Sequence, residues 1–583
     1  MPQVSPMIPA APAASLKPAA GEPAARDAAP PAGERPSLGI AAKVLYGVGE
    51  VANASKTVLF GLFLVFFYTS VMGLPGTLVG AATAIGLVWD AAVDPFVGYA
   101  SDRARLPLGR RHAFMLVGAV LVGPTFWALF SPPPGLSTGA LFAWLLVTSL
   151  LVRTAHSIFV VPYHALGAAL SRDYHERTAI TAVRGACALA GTVATAGLSF
   201  VLFFPNTVAG QDPKLSYAGY PAMGLALGLA MSVAALVATL ATLRWRPYLA
   251  GDEAGPKPGM TGMNGASSDG RAPAGDVARH EGTPSWRDGR PGTSVMIRPG
   301  PVDKSQRGVP SHDGLPGASG QSDGSRPAAW RWRSGAARLA GFLADFLVAL
   351  RNGPFRALAL SYSLMFLGTV INGALAVHFL TYYVAIAESA ALSSLQFAFY
   401  GGALAGVLVW LRLARRTEKR RLYLVGAVAT ALLMLGATAL FGDGRLFGTG
   451  NAAPLLAGQA LAGFFGSLFW ILPHSMLADV ADADELATGR RREGIFFGIL
   501  SFSQQLATGL AVLVTGVLLD WFAGLAPGQA EQTALTIERI GLLFGVLPAA
   551  LLLAAALAIL GYQLDRRRVV AIQARLAPEC GGR

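Results

Sequence analysis

The sequence predicts an all-α membrane protein whose twelve transmembrane helices form two six-helix bundles. Three observations predict it. Only 14% of the 583 residues are charged and 53% are hydrophobic, whereas a soluble globular domain carries roughly 25% charged residues. Apolar runs of about 20 residues, the length that crosses a hydrocarbon layer, recur along the chain. They come as six, a long break and six more, with arginine and lysine gathered in alternate connectors.

In chain order, residues 1–38 are rich in Pro and Ala with Lys17, Arg26 and Arg35 scattered among them. They lack the apolar core and cleavage pattern of a signal peptide and are read as a disordered cytoplasmic tail. The first bundle, residues 39–246, holds runs that begin near Val44, Pro75, Ala113, Gly139, Ile180 and Pro221. Residues 247–333 are dense in Gly, Pro, Ser, Asp and Arg, cannot bury a core, and read as a disordered cytoplasmic linker. Within residues 334–352, Leu339, Phe342, Leu343, Phe346 and Leu350 share one side while Arg338, Asp345 and Arg351 face water. That pattern predicts an amphipathic helix lying on the membrane surface. The second bundle, residues 353–564, has runs beginning near Phe355, Leu392, Leu422, Pro454, Ile495 and Arg539, and residues 565–583 form a cytoplasmic tail. Short turn-rich connectors, such as Ser131-Pro-Pro-Pro-Gly135, separate the runs.

Orientation follows from the basic residues. Arg103, Arg105, Arg110 and Arg111 fall in one connector and Arg172, Arg177 and Arg184 in another. Arg412, Arg415, Arg416, Lys419, Arg420 and Arg421 fill a third, and Arg490, Arg491 and Arg492 a fourth. The intervening connectors hold only Lys214 and Arg445, so both termini are predicted to be cytoplasmic in a bacterial-type inner membrane. The net charge of +13 lies between apolar runs and points to anionic membrane lipids as partners, not to nucleic acid. Cys187 and Cys580 are too few for a disulfide framework or a zinc site. No phosphate loop, nucleophile elbow or His-Glu-x-x-His pattern appears. The expectation is a non-enzyme with a small-molecule substrate, no obligate protein partner, and no cofactor beyond a coupling proton or sodium ion.

The chemistry centres on Asp90 and Asp94 in the second run. Four residues apart, they share a helix face about 6 Å from each other along the axis. Counting back from Asp102 at the water boundary places them about 18 and about 12 Å deep in a layer about 30 Å thick. Carboxylates there are costly unless they face a polar cavity, a cation or a basic partner. Two on one face repel, so one carries a proton or a cation bridges them. The alternative is a structural ion pair with a basic neighbour. Lys56, about 20 Å inside the first run, lies too deep to reach that water easily and is the expected partner. Glu50 and Asn53 share its run, Glu50 shallow enough to meet cytoplasmic water. Arg153 and His156 lie three apart in the fourth run, with Tyr163 and His164 towards its cytoplasmic end. They suit a substrate cavity, although Arg153 serves equally well in a salt bridge between helices. Asn372, His378, Trp470, His474, Gln504 and Gln505 are the second bundle's candidates for the cavity wall. Asp479, Asp482 and Arg491, placed in a connector, and Asp102, Arg103, Arg110 and Arg111 form a candidate ion-pair latch holding the outward-facing state.

The two bundles echo each other. Val161-Pro-Tyr-His-Ala-Leu-Gly-Ala ends the fourth run and Leu472-Pro-His-Ser-Met-Leu-Ala-Asp ends the tenth, each leading into acidic and basic residues. Equivalent positions six runs apart in one orientation mark parallel repeats, the construction of the major facilitator fold, where substrate binds between halves.

Tyr46-Gly-Val-Gly-Glu, Trp89-Asp-Ala-Ala-Val-Asp-Pro, the Val161 segment with Asp173-Tyr-His-Glu-Arg-Thr, and Ala478-Asp-Val-Ala-Asp with Arg492-Glu-Gly carry a family resemblance. The chain resembles the glycoside–pentoside–hexuronide:cation symporters, the melibiose-carrier-like branch of the major facilitator superfamily. The resemblance implies cation-coupled symport of a glycoside or small saccharide by alternating access; the departures from the branch favour a proton over sodium. It implies that Asp90 and Asp94 bind the coupling cation and that Arg184 is a substrate-site arginine. The chain departs from the branch at Asn53 and Ala54, where a Lys-Asp pair is expected. It departs again at Val160 and Gln505, which replace an acid and a lysine. Lys56 is the expected source of the displaced positive charge. Rival readings are a transporter of an amphiphilic, lipid-like cargo and a non-transporting sensor on the same scaffold.

Overall fold

The computed structural model describes residues 38–104, 106, 108–171, 173–205, 212–245, 349, 351–489 and 492–576. The tail over 1–37, the linker and all but three residues of the expected surface helix (Ala349, Arg351 and Asn352) lie outside them. Among the described residues, twelve helices are long and apolar enough to cross a membrane. We number them spans 1 to 12: Ile40–Val71, Gly76–Arg103, Arg110–Leu129, Thr138–Gly167, Glu176–Phe203 and Gly219–Leu243 in the first half. In the second half they are Gly353–Tyr383, Ser389–Ala414, Lys419–Leu440, Ala453–Thr488, Glu493–Ala523 and Ala534–Gly561. An eleven-residue helix, Arg566–Leu576, follows.

The packing repeats with the sequence. Span 1 packs on spans 5 and 6, span 2 on span 4, and span 3 on spans 4 and 6. Six spans later, span 7 packs on spans 11 and 12, span 8 on span 10, and span 9 on spans 10 and 12. The halves meet through span 2 against span 11 and span 5 against span 8, again a symmetric pair. Glycine permits the first of these contacts, because a Cβ on Gly516 would lie 2.0 Å from the Gly76 carbonyl. This is the small-residue packing by which helix backbones approach in a membrane. The fold is the major facilitator fold of two pseudo-symmetric six-helix bundles.

Three spans end in wide π-helical turns at the end of the bundle opposite the termini. These turns are Phe67–Val71, Phe379–Tyr383 and Leu519–Ala523. At that end a single buried apolar cluster draws Phe66, Phe67 and Phe204 of the first half together with Phe379, Tyr382 and Leu392 of the second. Towards the termini the second half keeps a separate core around Phe355, Tyr423, Met476 and Tyr562.

The helices also run further than the apolar runs. Asp479, Asp482 and Asp484, expected in a connector, lie on the last turns of the helix Leu468–Thr488, which stops at Gly489 with φ 67°. Only glycine takes that left-handed C-terminal position without steric cost. Likewise Arg184 is well inside the helix Tyr174–Phe203, whose first turn Asp173 caps through the Glu176 amide. Amphipathic helix ends remain regular in the interfacial layer, where hydropathy no longer marks them.

Candidate functional site

Span 2 carries Asp90 and Asp94, with Pro95 immediately after them. Proline removes an amide donor and loosens the ladder around the second carboxylate. Arg153 of span 4 donates through Nη1 to Asp90 Oδ2. Lys56 Nζ of span 1 lies 3.9 Å from the same oxygen and 3.3 Å from His156 Nδ1. Asp90 thus faces a guanidinium and an ammonium from two different helices. Arg153 takes the bridging role that its chemistry allowed, and Lys56 stands second to it. The guanidinium is 4% exposed and lies over the Phe60 ring at 5.0 Å. It passes span 2 at Gly86, where a Cβ would come within 2.5 Å of Arg153 Nε.

Four buried polar atoms around this cluster have no hydrogen-bond partner among the described residues: Asp90 Oδ1, Asp94 Oδ1, Arg153 Nε and His156 Nε2. Asp94 has no ion-pair partner within bonding distance among the described residues. A half-buried carboxylate with one oxygen shielded is costly when ionised at that depth. Its chemistry is to take up a proton or meet a cationic or hydroxyl donor.

A second cluster lies nearer the termini, around Glu50. Its Oε1 accepts from Asn53 Nδ2 at 2.9 Å. Its Oε2 lies 3.2 Å from His164 Nε2 and 3.6 Å from Arg184 Nε. Glu50 is 8% exposed, so it does not sit in open water as its depth suggested. It is the shared acceptor of three helices. Tyr163 is corrected too. It was expected in the cavity wall, but it is fully buried and stacked on Tyr46, and each hydroxyl donates to the other's backbone oxygen at 3.0 Å.

The second half presents neutral groups. Asn372 Nδ2 donates to the Phe544 carbonyl at 2.9 Å, and Gln504 Oε1 accepts from the Tyr362 hydroxyl at 3.1 Å. His474, beside the Tyr362 and Phe497 rings, and Gln505 are exposed, as is half of Trp470. His378 does not line a cavity. It is fully buried in the seam, with Nε2 3.0 Å from Thr69 Oγ1 and its ring against Phe66.

The partners seen for the expected latch residues lie within their own halves. Arg111 pairs with Asp102 at 3.5 Å, Arg110 reaches the Asp102 carbonyl at 3.4 Å, and Arg103 covers Tyr99. Asp479 pairs with Lys419 at 2.6 Å and Asp482 accepts from Gln573 at 3.1 Å. Each of these partners belongs to the same half. Arg491 lies outside the described residues.

The halves are fastened at the other end instead. Asp520 of span 11 accepts from the amides of Gly76 and Thr77, both at 2.7 Å, and from Thr77 Oγ1 at 2.6 Å. A carboxylate there caps span 2 and answers its dipole across the seam. Lys214 Nζ donates to the Ile386 carbonyl at 2.7 Å, Ser389 donates to the Phe204 carbonyl, and Gly528 donates to the Thr69 carbonyl at 3.0 Å. Sequence reading missed Asp520. Lys214 carried a signal, as an isolated cation where the charge alternation predicts none.

The profile of the MFS/sugar transport protein family matches residues 45–266 and 332–566. An uncharacterised symporter of Synechocystis sp. is 25% identical over 564 residues, covering 90% of this chain and 94% of that one. An isoprimeverose transporter of Lactiplantibacillus pentosus is 22% identical over 524 residues, covering 89% and 88%. Among solved structures, the xylose transporter XylE from E. coli in an inward open conformation gives a TM-score of 0.52 at 12% identity. It covers 92% of this chain and 98% of that one, a likeness of fold.

Proposed function

The chain belongs to the MFS/sugar transport protein family, and on that premise we propose that it imports a glycoside or small saccharide together with a proton. The observation that carries the reading is the division of labour between the two acids. Asp90 is already answered by Arg153 and Lys56, so the place of a coupling metal cation is filled by side chains. A hard cation needs a cage of oxygen ligands, and a guanidinium at its centre opposes that. Asp94, with Oδ1 buried and unpartnered, is the group that takes the proton.

With both termini cytoplasmic, the sealed end is extracellular and this conformation opens inward. In the outward-open state Asp94 takes a proton and the cargo enters. Neutralising the carboxylate lowers the cost of enclosing it, so the seam closes outside and opens inside, where proton and cargo leave. Arg184 and Asn53 on one half and Gln504, Gln505 and Trp470 on the other offer hydrogen bonds and a ring face to sugar hydroxyls.

The test is uptake into proteoliposomes over a glycoside panel under an imposed proton or sodium gradient. A proton gradient alone drives accumulation. Asp94→Asn keeps exchange of labelled cargo but loses accumulation. Accumulation driven by sodium alone, or surviving in Asp94→Asn, refutes the reading.

A further inference from the structure

A basic pocket lies outside the transport path, at the arginine-rich end of the second half. The connector between spans 8 and 9, the turn after span 12 and the helix Arg566–Leu576 enclose it. Five basic and three acidic residues line it, and each acid is committed elsewhere. Asp479 pairs with Lys419 at 2.6 Å and Glu418 with Arg421 at 3.1 Å. Asp565 Oδ1 accepts the Arg568 amide at 2.8 Å and so caps the helix.

Three arginines are left with no carboxylate in an ion pair among the described residues: Arg420, Arg566 and Arg568. Two of them are held in place by backbone. Arg420 Nη1 donates to the Tyr562 carbonyl at 3.3 Å and Arg568 Nη1 to the Gln563 carbonyl at 3.1 Å. Each guanidinium is therefore anchored through one nitrogen to the same short turn, leaving the rest of its fork to a ligand. Forked donors that converge from two elements match the oxygens of a phosphate ester.

The depth of the pocket names the source. Arg420 is the second residue of span 9, and the turn begins where span 12 ends. Leu560 and Val570, about half exposed, stand beside it as an apolar skirt. A soluble anion has no use for such a skirt, whereas an acyl chain does. We propose that this pocket binds the phosphate headgroup of an anionic lipid and clasps the C-terminal helix to the 8–9 connector.

The experiment uses the full chain in phosphatidylcholine nanodiscs titrated with spin-labelled phosphatidylglycerol. It compares Arg420→Gln/Arg568→Gln with Arg412→Gln/Arg415→Gln, which removes two exposed charges that do not line the pocket. At about one tenfold step per 1.4 kcal/mol, and about 1 kcal/mol per basic residue near an anionic headgroup, the pocket pair weakens association roughly 30-fold. The control pair stays closer to the wild type. Arg420→Lys/Arg568→Lys, which keeps the charge but loses the fork, recovers part of the binding and shows that the loss is not misfolding. Equal weakening by both Gln pairs, or none by the pocket pair, overturns the proposal. So does displacement of the labelled lipid by millimolar inorganic phosphate, which would identify a soluble anion.

Discussion

Replacing Lys214 with methionine tests how the sealed end is held. The ammonium is 1% exposed, lies 2.8 Å from Asp212 Oδ2 in its own connector, and donates across the seam to the Ile386 carbonyl at 2.7 Å. The residue before that carbonyl, Ala385, has φ 59°, a conformation that costs a non-glycine residue of order 1 kcal/mol. The bond thus helps hold a turn in a shape it does not otherwise prefer. Asp212 travels with Lys214 when the halves part, so the bond to Ile386 and the burial of the nitrogen separate the two conformers, and a neutral amine keeps the bond without the cost of burying charge. A hydrogen bond from a charged group contributes about 1.5–3 kcal/mol. Lys214→Met therefore shifts the equilibrium towards the state parted at this end by roughly 10- to 100-fold. Spin labels at Pro134 of the first half and Leu446 of the second, both exposed at that end, report it as a growing long-distance population in pulsed electron resonance. Lys214→Arg restores the short distance. An unchanged distance distribution in Lys214→Met refutes the reasoning.

Three further outcomes follow from the same geometry. Asp520→Asn removes a charged cap that accepts three bonds from span 2 and shifts the same equilibrium by about 0.5–2 kcal/mol. With no partner shared with Lys214, its effect on the label distances adds to that of Lys214→Met. Gly86→Ala puts a methyl against Arg153 and costs about 1–3 kcal/mol of stability by overpacking. It appears as a lower thermal midpoint in detergent together with reduced uptake. Burial pushes the Lys214 ammonium below its usual 10.5, although the Asp212 carboxylate beside it opposes the shift. The sealed conformer then holds fewer protons than the parted one between the depressed value and 10.5, so raising pH through that window favours the seal. The label distances shorten there in the wild type, and the shortening is lost in Lys214→Met.

The twelve spans were legible because hydropathy reports what must lie in hydrocarbon, and each run begins within a few residues of its helix. Hydropathy is silent on where a helix stops in the interfacial layer, so Asp479, Asp482 and Asp484 looked like loop residues. Within the site, helical spacing and depth singled out Asp90, Asp94, Lys56 and Arg153. Which base meets Asp90 depends on side-chain reach through the gap at Gly86, and no spacing rule encodes that. Glu50 was undervalued because depth along one helix ignores what its neighbours place beside it. His378 and Tyr163 were overvalued because a polar residue in a span is as readily a fastening between helices as a cavity wall. Asp520 lay at a span end, where acids are too common to stand out.

The charges around the path sit on one of two bundles that are otherwise built alike. If Asp94 takes the coupling proton as proposed, the bundle bearing Asp90, Asp94, Lys56 and Arg153 is the engine, while its twin offers amides and rings. Duplicated architecture has thus become a division between drive and grip. On that reading, grafting spans 7 to 12 of a relative onto this first bundle would change one side of the grip and leave what powers the movement untouched.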